Sequence, residues 1–175
     1  MWPFKKHNLE LLDRAKTAAA MLQDIVEETA PKLVNILIGE EKLSENNQLL
    51  PYITSELLIL GLQVTDRIAF RQLGTSKSSG FMNAILPVIQ QELQPPIGSQ
   101  FERLYNIRNT YYGEFTILYP VRNENLRGTL CGEFVKAIGS SLAKSNPDVI
   151  MDISMLAIAF TKLILDAYEK NKVFI

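Results

Sequence analysis

The sequence predicts an all-α protein, a single-domain bundle of six or seven helices around a central apolar helix at about residues 51–73. Apolar residues recur at spacings of three and four along most of the 175-residue chain, and short polar stretches rich in Gly, Pro, Asn and Ser separate the periodic segments. Because 47% of the residues are apolar and nothing resembles an interdomain linker, residues 1–175 are predicted to form one domain. Residues 1–7 are expected to be a flexible N-terminal arm.

The first helix is predicted to begin at about Asn8 and to reach Ile38. Apolar residues on both sides of Pro31 share a spacing of seven: Leu12, Ala19, Val26 and Leu33. Proline inside a helix removes one backbone hydrogen bond and bends the axis. One helix kinked at Pro31 and two successive helices are therefore both compatible with the sequence.

The central helix is predicted to run from Pro51, which suits a first turn, to Leu73. It is apolar almost all round, which is typical of a helix in the middle of a bundle. Three of its polar side chains fall within an arc of about 40°: Glu56, Gln63 and Arg67. Asp66 lies apart from that arc.

The stretch "GTSKSSG" after the central helix is predicted to be a loop, and "FMNAILPVIQQEL" a helix that Pro87 kinks or restarts. The next helix is predicted over residues 100–119, because a stripe follows helical spacing without interruption. Its members are Phe101, Leu104, Tyr105, Arg108, Tyr111, Tyr112, Phe115, Leu118 and Tyr119. Ser99 and Glu102 resemble a capping box at its start. The alternating "EFTILY" suits a strand, but the longer period favours a helix that continues through Gly113.

Two further helices are predicted at the C-terminal end. "RGTLCGEFVKAIGSSL" carries Gly128, Gly132 and Gly139, each costing roughly 1 kcal/mol against alanine, which indicates close approach of a neighbouring helix backbone. The last helix is predicted to run from Pro147 to about Asn171. Asn146 is its expected N-cap, and its polar residues lie on one stripe.

Composition argues against several function classes. The net charge of −1 does not favour nucleic-acid binding. Cys131 and His7 are the only cysteine and histidine, so an intrachain disulfide, a Cys or His metal cluster and a catalytic triad are not expected. No nucleotide or nucleophile motif occurs, and we expect no cofactor and no metal.

No membrane span or signal peptide is expected. Lysines interrupt the N-terminal stretch, and the longest apolar segment is broken by Asp152, Lys162 and Asp166. A cytoplasmic location is the resulting expectation.

Arg108 is the one charged member of the aromatic stripe. A guanidinium in apolar surroundings needs a carboxylate partner. Glu56 is the first candidate and Asp66 the second, since both lie on the apolar central helix; the three are predicted to form a buried polar network. Arg67 points about 100° away from Asp66 and is not expected to bond it.

The function favoured by these observations is non-enzymatic. High apolar content and helices with little polar surface favour a protein that acts by protein–protein interaction, first of all as a homo-oligomer. The alternative is a small-molecule sensor or binding bundle with a tyrosine-lined pocket. The residues expected to line that pocket are Tyr105, Arg108, Tyr111, Tyr112 and Tyr119. An enzyme of another type ranks third.

Overall fold

The computed structural model describes residues 3–38, 49–119, 126–142 and 146–174; of residues 3–9 and 140–142 only the backbone is described. These ranges contain six helices and no strand. The helices are α1 (Pro3–Ile38), α2 (Leu49–Leu73), α3 (Thr75–Glu92), α4 (Ile97–Gly113), α5 (Leu130–Leu142) and α6 (Pro147–Lys170). The predicted all-α class is confirmed.

Helix α2 is the centre of the bundle, as predicted. It contacts all five other helices, and every residue from 53 to 65 is buried. A helix surrounded by other helices needs no polar face, which explains why the sequence of α2 is apolar on nearly all sides.

Helix α1 is one helix with Pro31 inside it, which decides between the two alternatives. Its buried side chains include several alanines, and small side chains let helix axes approach closely. The fully buried ones are Ala15, Ala18, Ala19, Leu22, Ala30 and Leu33. The helix begins at Pro3, earlier than Asn8. The flexibility of residues 1–7 stays a prediction.

The junction between α2 and α3 is a single residue, Gly74, with a φ of 75°. The predicted loop "GTSKSSG" is therefore wrong after its first residue, and α3 continues through Pro87. Ser78 explains why a polar stretch can be helical here. Its hydroxyl donates to the Thr75 carbonyl at 2.9 Å, and its N–H donates to the Gly74 carbonyl at 3.0 Å. A serine hydroxyl bonded to a carbonyl of the preceding turn is compatible with a helix, so a stretch rich in serine is not necessarily a loop.

Helix α4 ends at Gly113, so the prediction of one helix over residues 100–119 is wrong. Residues 115–118 are non-helical, and the carbonyls of the last two accept from the first N–H groups of α5. The Leu130 N–H donates to the Ile117 carbonyl at 2.8 Å, and the Cys131 N–H donates to the Leu118 carbonyl at 3.0 Å. The first N–H groups of a helix have no acceptor inside it. Ending α4 at Gly113 lets the following residues offer acceptors to these N–H groups of α5. This gain outweighs continuing the aromatic stripe as a helix past the glycine.

The start of α4 also differs from the prediction. The helix begins at Ile97, and the Ser99 hydroxyl donates to the Pro96 carbonyl at 2.9 Å, so Ser99 does not cap the helix. The N-cap of α6 is confirmed, because the Asn146 Oδ1 accepts from the Asp148 N–H at 3.1 Å.

Two glycines of the stretch "RGTLCGEFVKAIGSSL" are explained by the turn before α5 and not, as the sequence had suggested, by a neighbouring helix. Gly128 precedes α5 in a turn with a φ of 75°. A Cβ on Gly132 would overlap the carbonyl oxygen of Leu126, in the turn that leads into the same helix. The close approach is thus to the preceding turn and not to a neighbouring helix.

We expect Gly132→Ala to destabilise the protein by about 1–3 kcal/mol, because backbone atoms cannot move aside as a flexible side chain can. Gly139→Ala is the matched control on the same helix. There an added Cβ would meet Ile150 at 3.8 Å, an ordinary contact, so alanine should be neutral or stabilise by up to about 1 kcal/mol. Urea unfolding of both variants checks this. Equal stabilities would contradict the close approach at Leu126.

In the described ranges, no helix combines the length and the apolarity needed to cross a membrane.

Candidate functional site

A buried ion pair joins α2 to α4. The Arg108 Nε lies 2.9 Å from Glu56 Oε1 and 3.1 Å from Oε2, and Nη2 lies 2.7 Å from Oε1. The Glu56 side chain is fully buried and that of Arg108 is 19% exposed. The contact predicted between these two residues is present, in the two-nitrogen geometry that arginine favours with carboxylates.

The charges of this pair affect the tyrosines around it. Hydrogen bonds from Arg108 to Glu56 raise the pKa of the arginine above its ordinary value. Burial, and then the negative charge of Glu56, raise the pKa of both Tyr52 and Tyr112. Tyr112 is 1% exposed, and its hydroxyl has no hydrogen-bond partner in the described part of the chain. At neutral pH Arg108 therefore stays positively charged, and Tyr52 and Tyr112 stay neutral.

Arg67 holds the C-terminal end of α4. Its Nη2 donates to the Tyr112 carbonyl at 2.6 Å, and its Nε donates to the Phe115 carbonyl at 3.0 Å. The last carbonyls of a helix have no donor within the helix, and cationic side chains stabilise that end. Arg67 thus supplies the donors where the chain leaves the helix.

Gln63 completes the connection between the two helices. Its Nε2 donates to Asn109 Oδ1, and its own side-chain oxygen accepts from Arg67 Nη1. We call this set the polar seam: Glu56, Gln63 and Arg67 on α2, with Arg108, Asn109 and the α4 carbonyl of Tyr112.

Asp66 does not belong to the polar seam. Its side chain is 46% exposed, and its Oδ2 lies 3.2 Å from Arg67 Nη1. The prediction of a buried network that includes Asp66 is wrong, and so is the expectation that Arg67 cannot reach it. The long arginine side chain bends back along the helix, which an argument from Cβ directions does not capture.

A surface cleft of about 290 Å³ lies beside the ion pair, between α4 and α5. Its lining residues are Ile107, Arg108, Tyr111, Tyr112, Glu133, Lys136 and Ala137. Three of the five residues predicted for a pocket are thus together. Tyr105 instead packs on Phe101, with ring centroids 5.3 Å apart, and Tyr119 lies under Lys162 at 5.6 Å.

The outer side of α6 exposes a second feature, an apolar row at a spacing of four. Met151 is 57% exposed, Met155 64% and Leu163 46%, and Ala159 is exposed between them. We call these four residues the α6 ridge. The opposite side of the helix is buried in the bundle through Ile153, Ala157, Phe160, Ile164 and Tyr168.

Little in the described residues points to covalent or metal chemistry. Within those ranges no three His, Cys, Asp or Glu residues come together in a way that could hold a metal ion. Burial raises the pKa of Cys131 to about 11, and its Sγ lies 3.3 Å from the Thr161 hydroxyl. A buried protonated thiol is a poor nucleophile.

Sequence reasoning missed the role of Arg67 and the exposure of the α6 ridge. A signal for Arg67 was present, because Glu56, Gln63 and Arg67 share one arc of α2 and the other two members also bond α4. Tyr111, a member of the stripe and an expected pocket residue, is 60% exposed.

No known family model, curated protein or solved structure matches this chain. Its function must therefore be argued from the geometry above.

Proposed function

We propose that this protein acts by protein–protein interaction, and that its first partner is a second copy of itself bound through the α6 ridge. The observation that carries the proposal is the row of Met151, Met155, Ala159 and Leu163, which no other described helix covers. Exposed apolar side chains interspersed with charges occur at association surfaces, and here Asp152, Lys162 and Asp166 lie on the same side of the helix as the α6 ridge. A helix of 24 residues is about 36 Å long, enough for an extended helix–helix contact.

Charge complementarity favours a second copy in the antiparallel direction. The N-terminal half of α6 exposes Asp148 and Asp152 and no basic residue, whereas the C-terminal half exposes Lys162 and Lys170 beside Asp166 and Glu169. An antiparallel copy brings each acidic half alongside the half that carries the lysines. The antiparallel arrangement also points the two helix dipoles in opposite directions, which is electrostatically favourable.

Size-exclusion chromatography with light scattering tests the proposal. We expect a dimer of about 40 kDa, twice the 19.8 kDa of the chain, at micromolar concentration. The double substitution Met151→Gln/Met155→Gln keeps side-chain length and should weaken the dimer by tenfold or more, because burying a methionine contributes about 1.5–3 kcal/mol. Phe70→Gln, which alters an exposed apolar side chain on α2, is the matched control and should leave the dimer unchanged.

The direction of the two helices has its own test. Lys162→Glu should weaken the dimer, and adding Asp152→Lys to it should restore part of the affinity. A parent protein that stays monomeric, or a methionine double variant that dimerises as the parent does, would contradict the α6 ridge as the interface. Loss of affinity in Lys162→Glu without recovery in the double variant would contradict only the antiparallel arrangement.

A further inference from the structure

The cleft between α4 and α5 has an apolar wall and a polar floor. Ile107 is 51% exposed and Tyr111 60%, and both are on its wall. A volume of about 290 Å³ lies just below the range of about 300–1,000 Å³ that ligand sites occupy. A ligand here would be small and would contact an aromatic ring.

Arg108 supplies the floor with unused hydrogen-bond donors. Glu56 accepts from Nε and Nη2, and the Tyr52 hydroxyl is the other described group that interacts with both Arg108 and Glu56. Glu56 is fully buried while the Arg108 side chain is 19% exposed and lines the cleft. A guanidinium carries five N–H groups in a rigid plane, and the bonds to Glu56 use only those on Nε and Nη2.

The ion pair also holds these donors in place. Because three hydrogen bonds to Glu56 fix the plane of the guanidinium, Nη1 is oriented before any ligand arrives. A freely rotating surface arginine would lose conformational entropy on binding, and Arg108 has already lost it.

Lys136 provides a second cation at the rim. Its side chain is 75% exposed, and its Nζ lies 3.4 Å from Glu133 Oε2, a loose contact on the same helix turn. The positive charge of Arg108 is balanced by Glu56 and that of Lys136 by Glu133, which also lines the cleft, so an incoming anion takes the place of Glu133 at Lys136. An exposed pair of this kind contributes under about 1 kcal/mol and is easily exchanged for a new partner.

We propose that this cleft binds a small aromatic carboxylic acid. Its carboxylate accepts from Arg108 Nη1 and from Lys136, and its ring lies against Ile107 and Tyr111. The site is separate from the α6 ridge, and the inference does not depend on self-association.

An NMR titration of the full-length protein with phenylacetate tests this proposal. We expect amide shifts concentrated at residues 107–112 and 133–137. Phenylacetamide, which keeps the ring and lacks the charge, should bind at least about fivefold more weakly, as expected when a hydrogen bond to a charged group is replaced. Acetate, which keeps the charge and lacks the ring, should also bind more weakly.

Two exposed positions test the site without disturbing the ion pair. Tyr111→Ser and Lys136→Gln should each weaken phenylacetate binding about threefold to tenfold. Lys32→Gln is the matched control, since Lys32 is also exposed and also pairs with a glutamate one turn earlier on its helix. Equal affinities for acid and amide, shifts that appear elsewhere, or unchanged binding in both variants would overturn the proposal.

Discussion

Replacing Arg108 by methionine is expected to lower the free energy of unfolding by about 3–5 kcal/mol. Methionine retains much of the volume but leaves the Glu56 carboxylate fully buried without a cation. The unpaired carboxylate must either take up a proton or be exposed to water by a rearrangement of the bundle. Either change lowers the stability of the folded protein. Urea unfolding followed by circular dichroism measures the difference.

Arg103→Met is the control for this substitution. Arg103 lies on the same helix and is exposed, so its loss should change stability by less than about 1 kcal/mol. If the two variants have equal stabilities, Glu56 is not dependent on Arg108.

The paired substitution Glu56→Leu/Arg108→Met should be far less harmful than Arg108→Met alone. Removing both charges also removes the cost of burying them, and buried ion pairs are often replaced by apolar pairs with little loss. A double variant as unstable as the single one would show that packing at residue 108, and not the unpaired charge, is responsible.

Replacing Arg67 by methionine is expected to cost about 2–4 kcal/mol, because it removes charged hydrogen bonds to three acceptors, of which the Tyr112 carbonyl keeps a second donor, the Phe115 N–H at 3.1 Å. The carbonyls of Tyr112 and Phe115 lose a cationic donor at the end of α4, and the Gln63 side-chain oxygen loses one as well. The arginine side chain is 10% exposed, so water replaces these bonds poorly.

Hydrogen exchange distinguishes this effect from general destabilisation. Amides of residues 110–118 should exchange faster in Arg67→Met than amides at the start of α2. Arg71→Met, one turn further along α2 at an exposed position, should leave both rates unchanged. Uniform acceleration along the whole chain would contradict a local role for Arg67.

The helical class and the central position of α2 could be predicted from sequence because both depend on apolar periodicity. The contact between Arg108 and Glu56 could be predicted because few chemical groups stabilise a guanidinium among apolar residues. The end of α4 could not be predicted in the same way. It depends on acceptors offered to α5 and on donors supplied by Arg67, and both come from residues distant in the chain.

The candidate surfaces were harder to predict than the core. Met151 and Met155 have the same hydrophobicity as buried residues, and their position on the charged side of α6 was the only sequence signal of their exposure. The cleft combines residues of α4 and α5, whose relative placement the sequence does not specify. Three of the five predicted pocket residues were correctly grouped, because they lie on adjacent turns of one helix.

The polar seam also has a consequence for the orientation of α2 about its own axis. From residue 53 to 65 this helix is buried on all sides, so its hydrophobicity alone gives it no preferred side. Turning it by one residue, about 100°, would carry Glu56 away from Arg108 and Arg67 away from the end of α4. The few polar side chains on one arc therefore favour one rotation of α2 about its axis. Hydrophobicity by itself would not determine that rotation.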